Sequence, residues 1–366
     1  MDPLLSRRAL NRATLERQWL VRRSNLSVLD MVTHLAGLQA QTPHTWYTGL
    51  WNRIEGFTAE AASDLLASRD LVRIALQRST IHLVTADDCL AMRPLLEPPT
   101  ARMTRTTFGK KVAGAPEAEL AEVGRRLVEE RPMTFAELGR ALHEHWPEAD
   151  AHALSMYVRW LVPLVQVPPR GLWGRSGPIA HTSAESWIGR EVPPMSLEEF
   201  VRRYLAAFGP ASVMDMQTWS GLTRLNEVFA GMDLPRFRDE NGRTLYDLPD
   251  APRPGEDLPV PVRLMYDFDN LFLGHADRSR VIDERTAEVS AGFVRANVMW
   301  RIVLVDGFPA GDWTIAGAKG TTTLTIHQWR PIHDLDAVAA EARRLLDFLA
   351  PGDHHEIAVT DQPSRI

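Results

Sequence analysis

Residues 71–88 read LVRIALQRSTIHLVTADD. The stretch is rich in β-branched and apolar residues and predicts short paired strands. Helical patterns precede it. SRRALNRATLERQWL begins at Ser6, and SVLDMVTHLAGL sets Val28, Met31, Leu35 and Leu38 at helical spacing. TAEAASDLLASRDL opens on Thr58, with Glu60 close behind. A helix through 87–96 closes the unit. Helix, helix, helix, ribbon is the order of a winged helix-turn-helix. Short helices with a closing hairpin also build domains that bind no nucleic acid.

The order returns twice. After the patch VAGAPEAE come a charged helix at 117–130, TFAELGRALHEHW and DAHALSMYVRWLVPLV, then the glycine-punctuated PPRGLWGRSGPIAHT. The third round is SLEEFVRRYLAAFG, ASVMDMQTWSGL and TRLNEVFAGM. It ends in LPRFRDENGRTLYDLP, where Asn241-Gly242 is a strong two-residue hairpin signal. The Pro-rich linker DLPDAPRPGEDLPVP follows, and then strand-like segments: VRLMYDFDNLFL, RVID, ANVMWRIVLVDGFPAGDWTI and TTTLTIHQWR. These predict a small barrel or curled sheet. LDAVAAEARRLLDFL covers it as a helix, and the tail GDHHEIAVTDQPSRI is expected to be loose at its end. The fold class is α+β: tandem winged helix-turn-helix domains followed by a small β-barrel-like C-terminal domain. Boundaries are expected at 1–111, 112–192, 193–252 and 262–350.

Length supports several units, since 366 residues exceed one ordinary core. The single Cys89 excludes an internal disulfide framework and fits a reducing cytosol. No run of about 18 apolar residues occurs, and the N-terminus has no signal-peptide core. A cytoplasmic, nucleoid-associated protein with no membrane partner is expected. Net charge is −6, which at first argues against nucleic acid. The distribution says more. Residues 1–111 carry 15 Lys and Arg against 10 Asp and Glu, and the rest of the chain carries 26 against 37. A basic first third on an acidic body is compatible with phosphate contact, as it is with a solvated basic helix. The first helix supplies Arg7, Arg8 and Arg12 as candidate DNA contacts. Only Lys110, Lys111 and Lys319 are lysines, and Lys319 in the turn GAKG is a fourth candidate contact.

Cys-x-x-Cys, His-Glu-x-x-His and Walker loops are absent, so neither metal nor cofactor is expected. His82 sits between apolar β-branched neighbours and reads as a core or interface histidine. His275 and Asp277 in GHADRSR could form a His–carboxylate pair, or anchor a strand end together with Arg278 and Arg280. The remaining oddity is LAGLQAQTP, residues 35–43. Pro43 pushes Thr42 out of the α region, and Gly37 weakens the helix before it. Once the chain is extended, Gln39 and Gln41 share a face. Such amides either cap the helix end or do chemistry. Residue spacing alone leaves both open.

GLQAQTPHTWYTGLW, with RRALNRATLERQ before it and RSTIHLVTADD after it, resembles the AlkZ-type DNA glycosylases. These bacterial enzymes protect producers of DNA-alkylating natural products. Their mark is a Gln–aliphatic–Gln motif, standing here as Gln39-Ala40-Gln41, and the related AlkX (YcaQ) branch carries Gln-x-Asp. DNLFLGHADRSRVI and VLVDGFPAGDWTI also resemble the family's C-terminal segments. The resemblance implies tandem winged helices and a β-barrel clamped on DNA. It also implies Gln39 and Gln41 as catalytic residues. On the residue reading above, His82, His275, Asp277 and Arg278 are the candidates for support. Its substrate would be double-stranded DNA bearing alkylated guanine, bound by a monomer. The rival expectations are a winged-helix transcription regulator and a non-catalytic DNA-damage binder.

Overall fold

A computed structural model describes residues 2–283, 286–289, 300–362 and 364. The chain begins with a two-residue strand, β1 (Leu4–Leu5). Four helices follow: α1 (Arg7–Arg17), α2 (Val28–His34), α3 (Trp46–Trp51) and α4 (Ala59–Ala67). A short strand, β2 (Leu38–Gln39), interrupts them. The hairpin β3 (Leu71–Ala75) and β4 (Ile81–Thr85) comes next, then the long α5 (Ala86–Phe108). The second round holds α6 (Glu117–Glu130), β5 (Met133–Thr134), α7 (Phe135–His145), α8 (Ala151–Leu161), β6 (Leu164–Gln166), β7 (Ala180–Ser183) and α9 (Ala184–Ile188). The third holds α10 (Leu197–Phe208), α11 (Val213–Ser220), α12 (Asn226–Gly231) and the hairpin β8 (Arg236–Asp239) and β9 (Thr244–Tyr246). Asn241-Gly242 stands at that hairpin's tip, with Gly242 at φ +75°.

The hairpins of the first two rounds do not stand apart. They merge into one six-stranded sheet in the order β2-β4-β3-β6-β7-β5. The bridge between them is β3 against β6, where Arg73 faces Gln166 and Ile74 faces Val165. The third hairpin captures the N-terminus instead, since β1 lies parallel to β8.

The C-terminal part departs from expectation: its sheet is open, and RVID forms no strand. Its strands are β10 (Arg263–Leu264), β11 (Ile302–Val305), β12 (Phe308–Ala318), β13 (Thr321–Gln328) and β14 (His354–Thr360), with the short helix α13 (Asn270–Leu273) between the first two. They form an open sheet in that order, so the described residues close no barrel. The sheet needs no closure because the helix Leu335–Leu349 covers it and the helices of the first round complete the core. Met31, Leu35, Trp46, Leu264, Trp313 and Leu345 belong to one buried cluster. The first part of the tail adds a strand to this sheet. β14 runs parallel to β13 from His354 to Thr360. RVID forms no strand, and part of ANVMWRIVLV lies outside the described residues.

One local feature sets the position of everything that follows. Ser27 caps α2, its hydroxyl accepting from the Asp30 amide. The helix stops early because Ala36 (φ +51°) and Gly37 (φ +89°) are both left-handed. The Gly37 amide closes back onto Val32 O at 2.9 Å. A Cβ on Gly37 would stand 2.6 Å from Val84 Cγ1, so glycine is required both for the turn and for the approach to β4. The chain then enters β2, and the expected helix through Leu38 ends at His34 instead.

Candidate active site

β2 is a two-residue strand that pairs antiparallel to β4, with Leu38 opposite Leu83 and Gln39 opposite His82. The Ala40 amide extends the ladder to Ile81 O at 2.7 Å. The outer edge of this strand would leave carbonyls exposed. It is closed by side chains from far along the sequence. Tyr266 Oη donates to Gln39 O at 3.1 Å, and Asn270 Nδ2 donates to Gly37 O at 2.7 Å. Arg73 Nη2 donates to Ala40 O at 2.8 Å. The backbone of Gln39 and Ala40 is thus tied on both edges.

Both glutamine side chains are engaged through their oxygens. Gln39 Oε1 accepts from Arg78 Nη2 at 3.0 Å, and Gln41 Oε1 accepts from the Ile81 amide at 3.2 Å. Gln39 is buried and Gln41 is exposed. Each amide keeps a second lone pair and two N–H donors. The pair can therefore hold a water or a sugar oxygen, and neither member can gain or lose a proton at ordinary pH. Thr42, next in the chain, donates its hydroxyl to Asp267 Oδ2.

His82 is the imidazole nearest the pair in register. Antiparallel partners share a face, so its ring lies beside the Gln39 side chain. Its Nδ1 lies 2.9 Å from Thr80 O, and a carbonyl only accepts, so Nδ1 carries the proton. Burial, helped by the Arg78 charge, pushes its pKa down to about 3. His82 is a neutral ring near neutral pH and no acid. Arg78 itself is pushed to about 10, first by burial and then by Arg278. Its backbone is left-handed, as is that of Ser79 beside it (φ +52° and +57°). Such strain costs about 1–2 kcal/mol per residue and clusters at functional positions.

The other candidates scatter. Arg12 is 0% exposed, its guanidinium ion-paired to Asp306, so it braces the β11–β12 turn. Arg8 shares Asp306 at 2.7 Å, and Arg7 alone of the three is exposed. Lys319 is exposed at the tip of the β12–β13 hairpin. His275 and Asp277 do not hydrogen-bond to each other. His275 Nε2 meets Phe208 O at 2.9 Å, and burial sends its pKa to about 3. Asp277 turns to Arg243 and to the Ser279 amide. Arg278, next to them, is exposed.

Sequence reading missed Arg73, Arg78, Tyr266 and Asn270. The polar residues of LMYDFDNLFL, stranded in an apolar run, were the one available signal for the last two. A cleft of about 230 Å³ opens beside Tyr266, lined also by His44, Trp173, Arg301 and Trp313. A larger one of about 880 Å³, around Arg190 and Pro193, shares no residue with the glutamine motif.

The sequence profile described as DNA glycosylase AlkZ-like matches residues 32–348. An interstrand DNA cross-link repair glycosylase from Streptomyces sahachiroi is 24% identical over 340 residues, covering 84% of this chain and 88% of that protein. The solved structure of Streptomyces sahachiroi DNA glycosylase AlkZ superposes with a TM-score of 0.78 at 20% identity. It covers 97% of this chain and 100% of the other. At that identity the likeness speaks for the fold. No helix among the described residues is long and apolar enough to cross a membrane.

Proposed function

Because the chain belongs to the AlkZ-like DNA glycosylase family, we propose that it excises bulky N7-alkylguanine adducts from double-stranded DNA, as a monofunctional enzyme acting as a monomer. The observation that carries this reading is the pair of neutral amides at the end of a clamped strand, with the neighbouring imidazole held neutral. Such a site suits a leaving group that needs no acid. Guanine alkylated at N7 is cationic, so its glycosidic bond is already weakened. Water attacks C1′ of the deoxyribose as the C1′–N9 bond breaks. The bonding electrons flow into the purine and neutralise it, and the water's proton leaves to solvent. The amides' task is to place that water and to face the developing positive charge on the sugar with their dipoles.

Gln41, the exposed member, is assigned the water, since the related branch has a carboxylate at that place. Gln39 completes the hydrogen bonding to the water or to the deoxyribose. The three helix-and-hairpin rounds are read as tandem winged helices with the C-terminal sheet beside them. An open clamp of this kind need not flip the base into a tight pocket, which leaves room for bulky groups. Action on interstrand cross-links, named for the Streptomyces sahachiroi relative, extends the same chemistry to a guanine tethered to the opposite strand. A role in resistance to a DNA-alkylating natural product follows. A Schiff-base lyase step needs an amine nucleophile, and no lysine lies near Gln39 in sequence.

The test is single-turnover excision from a duplex carrying one N7-alkylguanine, set beside DNA binding and thermal melting. Gln41→Ala should slow excision about a hundredfold, corresponding to roughly 3 kcal/mol of lost transition-state contact, while binding to undamaged DNA and melting barely move. Gln41→Asp should keep activity. Excision at the wild-type rate by both alanine variants would move the chemistry elsewhere. Variants that unfold would make the amides structural. Borohydride trapping of a protein–DNA adduct would contradict the monofunctional assignment.

A further inference from the structure

The turn between β3 and β4 gathers cations that have no anion. Arg78 lies in this turn, donating to Gln39 Oε1 at 3.0 Å and to Trp219 O at the end of α11. Arg159, from α8 of the second round, reaches across to donate to Ser79 O at 2.7 Å. Arg278 stands on the loop held against the start of α11, the helix whose last turn Arg78 meets at Trp219 O. The loop that carries Arg278 is fixed. Asp215 Oδ1, at the start of α11, accepts from the amides of Ala276 and Asp277. All three rounds of helices therefore meet at one turn, and that turn touches Gln39.

None of these three arginines forms an ion pair among the described residues. Burial lowers the pKa of Arg78 and Arg159, and no carboxylate acts to raise either. That sets them apart from arginines such as Arg17, Arg53 and Arg243, each held on an aspartate. Arg159 uses one of its five N–H donors, and Arg278 uses none among the described residues. A partly desolvated guanidinium without a counter-charge is unfavourable, and planar guanidinium forks match phosphate oxygens well. A strained turn that holds one fork against the candidate catalytic amide adds a reason for placing the missing anion there.

We propose that Arg78, Arg159 and Arg278 form a clamp for one backbone phosphate of the damaged strand, the phosphate adjoining the nucleotide whose base is removed. The clamp rests on the glycosylase reading given above and extends it. It would seat the deoxyribose against Gln39 and Gln41 by holding the strand one bond further along. Arg78 serves both parts, fixing the Gln39 oxygen and contributing to the clamp.

The experiment combines methylphosphonate scanning with salt titration. Duplexes carry one N7-alkylguanine and a single uncharged methylphosphonate, moved one position at a time past the lesion. They are assayed for binding and single-turnover excision with the wild-type chain, Arg278→Ala, Arg159→Gln and the double variant. Arg278 donates no hydrogen bond and forms no ion pair among the described residues, and glutamine at 159 keeps a donor for Ser79 O. One methylphosphonate position should weaken wild-type binding roughly tenfold, the loss of a charged hydrogen-bonded contact. At that position the double variant should show no further loss. The slope of log affinity against log salt should fall by about 1 in the double variant. A flat scan, or penalties that add in full to those of the arginine variants, would overturn the clamp. If the wild-type chain excises and the slope is unchanged in the double variant, the clamp fails while the glycosylase reading stands. If the wild-type chain excises nothing yet the slope falls and the scan shows one coupled position, the clamp stands as a DNA contact and the excision reading fails.

Discussion

Arg53 and Arg78 both reach into the first round of helices, and they are partnered in opposite ways. Arg53 is fully buried and meets Asp269 through both forks, at 2.9 and 2.8 Å. Arg17 meets Asp247 in the same way at 2.7 and 2.8 Å. These pairs tie the first round to the segment before α13 and to the end of the third hairpin. Arg78, Arg73 and Arg159 instead end on oxygens of the main chain or of an amide. The acid-paired set holds rounds together. The acid-free set surrounds the Gln-Ala-Gln strand and leaves net positive charge there. Composition counts both sets alike, so partnering and not number separates them.

The largest expected effect tests the glue. Arg53→Ala would strand the Asp269 carboxylate at 0% exposure. Breaking a buried pair from one side costs about 3–5 kcal/mol. Urea melting should show a loss of that size. A loss under about 1 kcal/mol would mean the pair behaves like an exposed one, and the division drawn above would fail.

The next effect comes from the potential that the acid-free set creates. Burial lowers the pKa of His82 to about 3, with the Arg78 charge as the second cause. Burial likewise lowers that of His181 to about 4, with Arg159 and then Arg73 adding to it. A histidine whose folded pKa is depressed binds fewer protons than the unfolded chain does. Above about pH 6.5 both states are neutral and it contributes nothing. As pH falls from there towards 3 or 4 the unfolded state takes up protons first, and stability drops. Each histidine should cost roughly 2 kcal/mol at pH 5. Thermal melting from pH 7 to pH 4.5 should therefore fall steeply. In Arg78→Gln the fall should stay the same within about 0.3 kcal/mol, because above pH 4.5 the unfolded-state pKa sets it. A much shallower fall would mean that the folded pKa of His82 lies inside this range.

Much of this arrangement was visible in the residues, and what was hidden shares one cause. The hairpin at Asn241-Gly242 is set by a local backbone requirement, so sequence suffices. The helix starts at Ser27 and Thr134 are caps that act within three residues. Gln39 and Gln41 stood out because two amides beside a helix stop are chemically odd, and a resemblance gave them a role. Where α2 ends was misjudged because the deciding atom is Val84 Cγ1 across the sheet. Tyr266 and Asn270 close the edge of β2 from more than 220 residues away, with |i−j| of 227 and 233. Whether an arginine has an acid is likewise a tertiary fact. Arg12 shows it best: three arginines on one helix look like a phosphate-binding row until Asp306 takes two of them.

A smaller effect sharpens the acid-free side. Arg73 is buried, with Nε and Nη1 unpartnered, and gives one bond to Ala40 O. Arg73→Met fills similar space without the charge. It loses one hydrogen bond and removes an unpaired cation, so stability should change by no more than about 1.5 kcal/mol. Excision should fall more than melting suggests, since the carbonyl between the two glutamines is released. Excision and stability falling strictly together would place Arg73 with the glue.

The smallest effect concerns α1. Arg7 is exposed and forms no ion pair among the described residues, whereas Arg8 and Arg12 converge on Asp306. A phosphate contact on this helix therefore rests on Arg7. Arg7→Ala should leave melting within about 0.5 kcal/mol, as surface changes usually do. It should weaken binding to undamaged duplex by a few-fold and lower the salt slope by at most about 1. Arg12→Met should do the reverse, lowering stability through the lost bonds to Asp306 and Asn11, with Arg8 left on Asp306, while the slope stays put. Exposure of Asp306 to solvent limits that loss, since water can take over its hydrogen bonds. Measured side by side, the two variants separate charge that reads DNA from charge that holds the fold, on adjacent turns of one helix. If Arg12→Met lowers the slope and spares the melting temperature, Asp306 releases its arginine when DNA arrives. The paired set would then be a reserve of contacts, and partnering in the free protein would no longer predict which arginines meet the backbone.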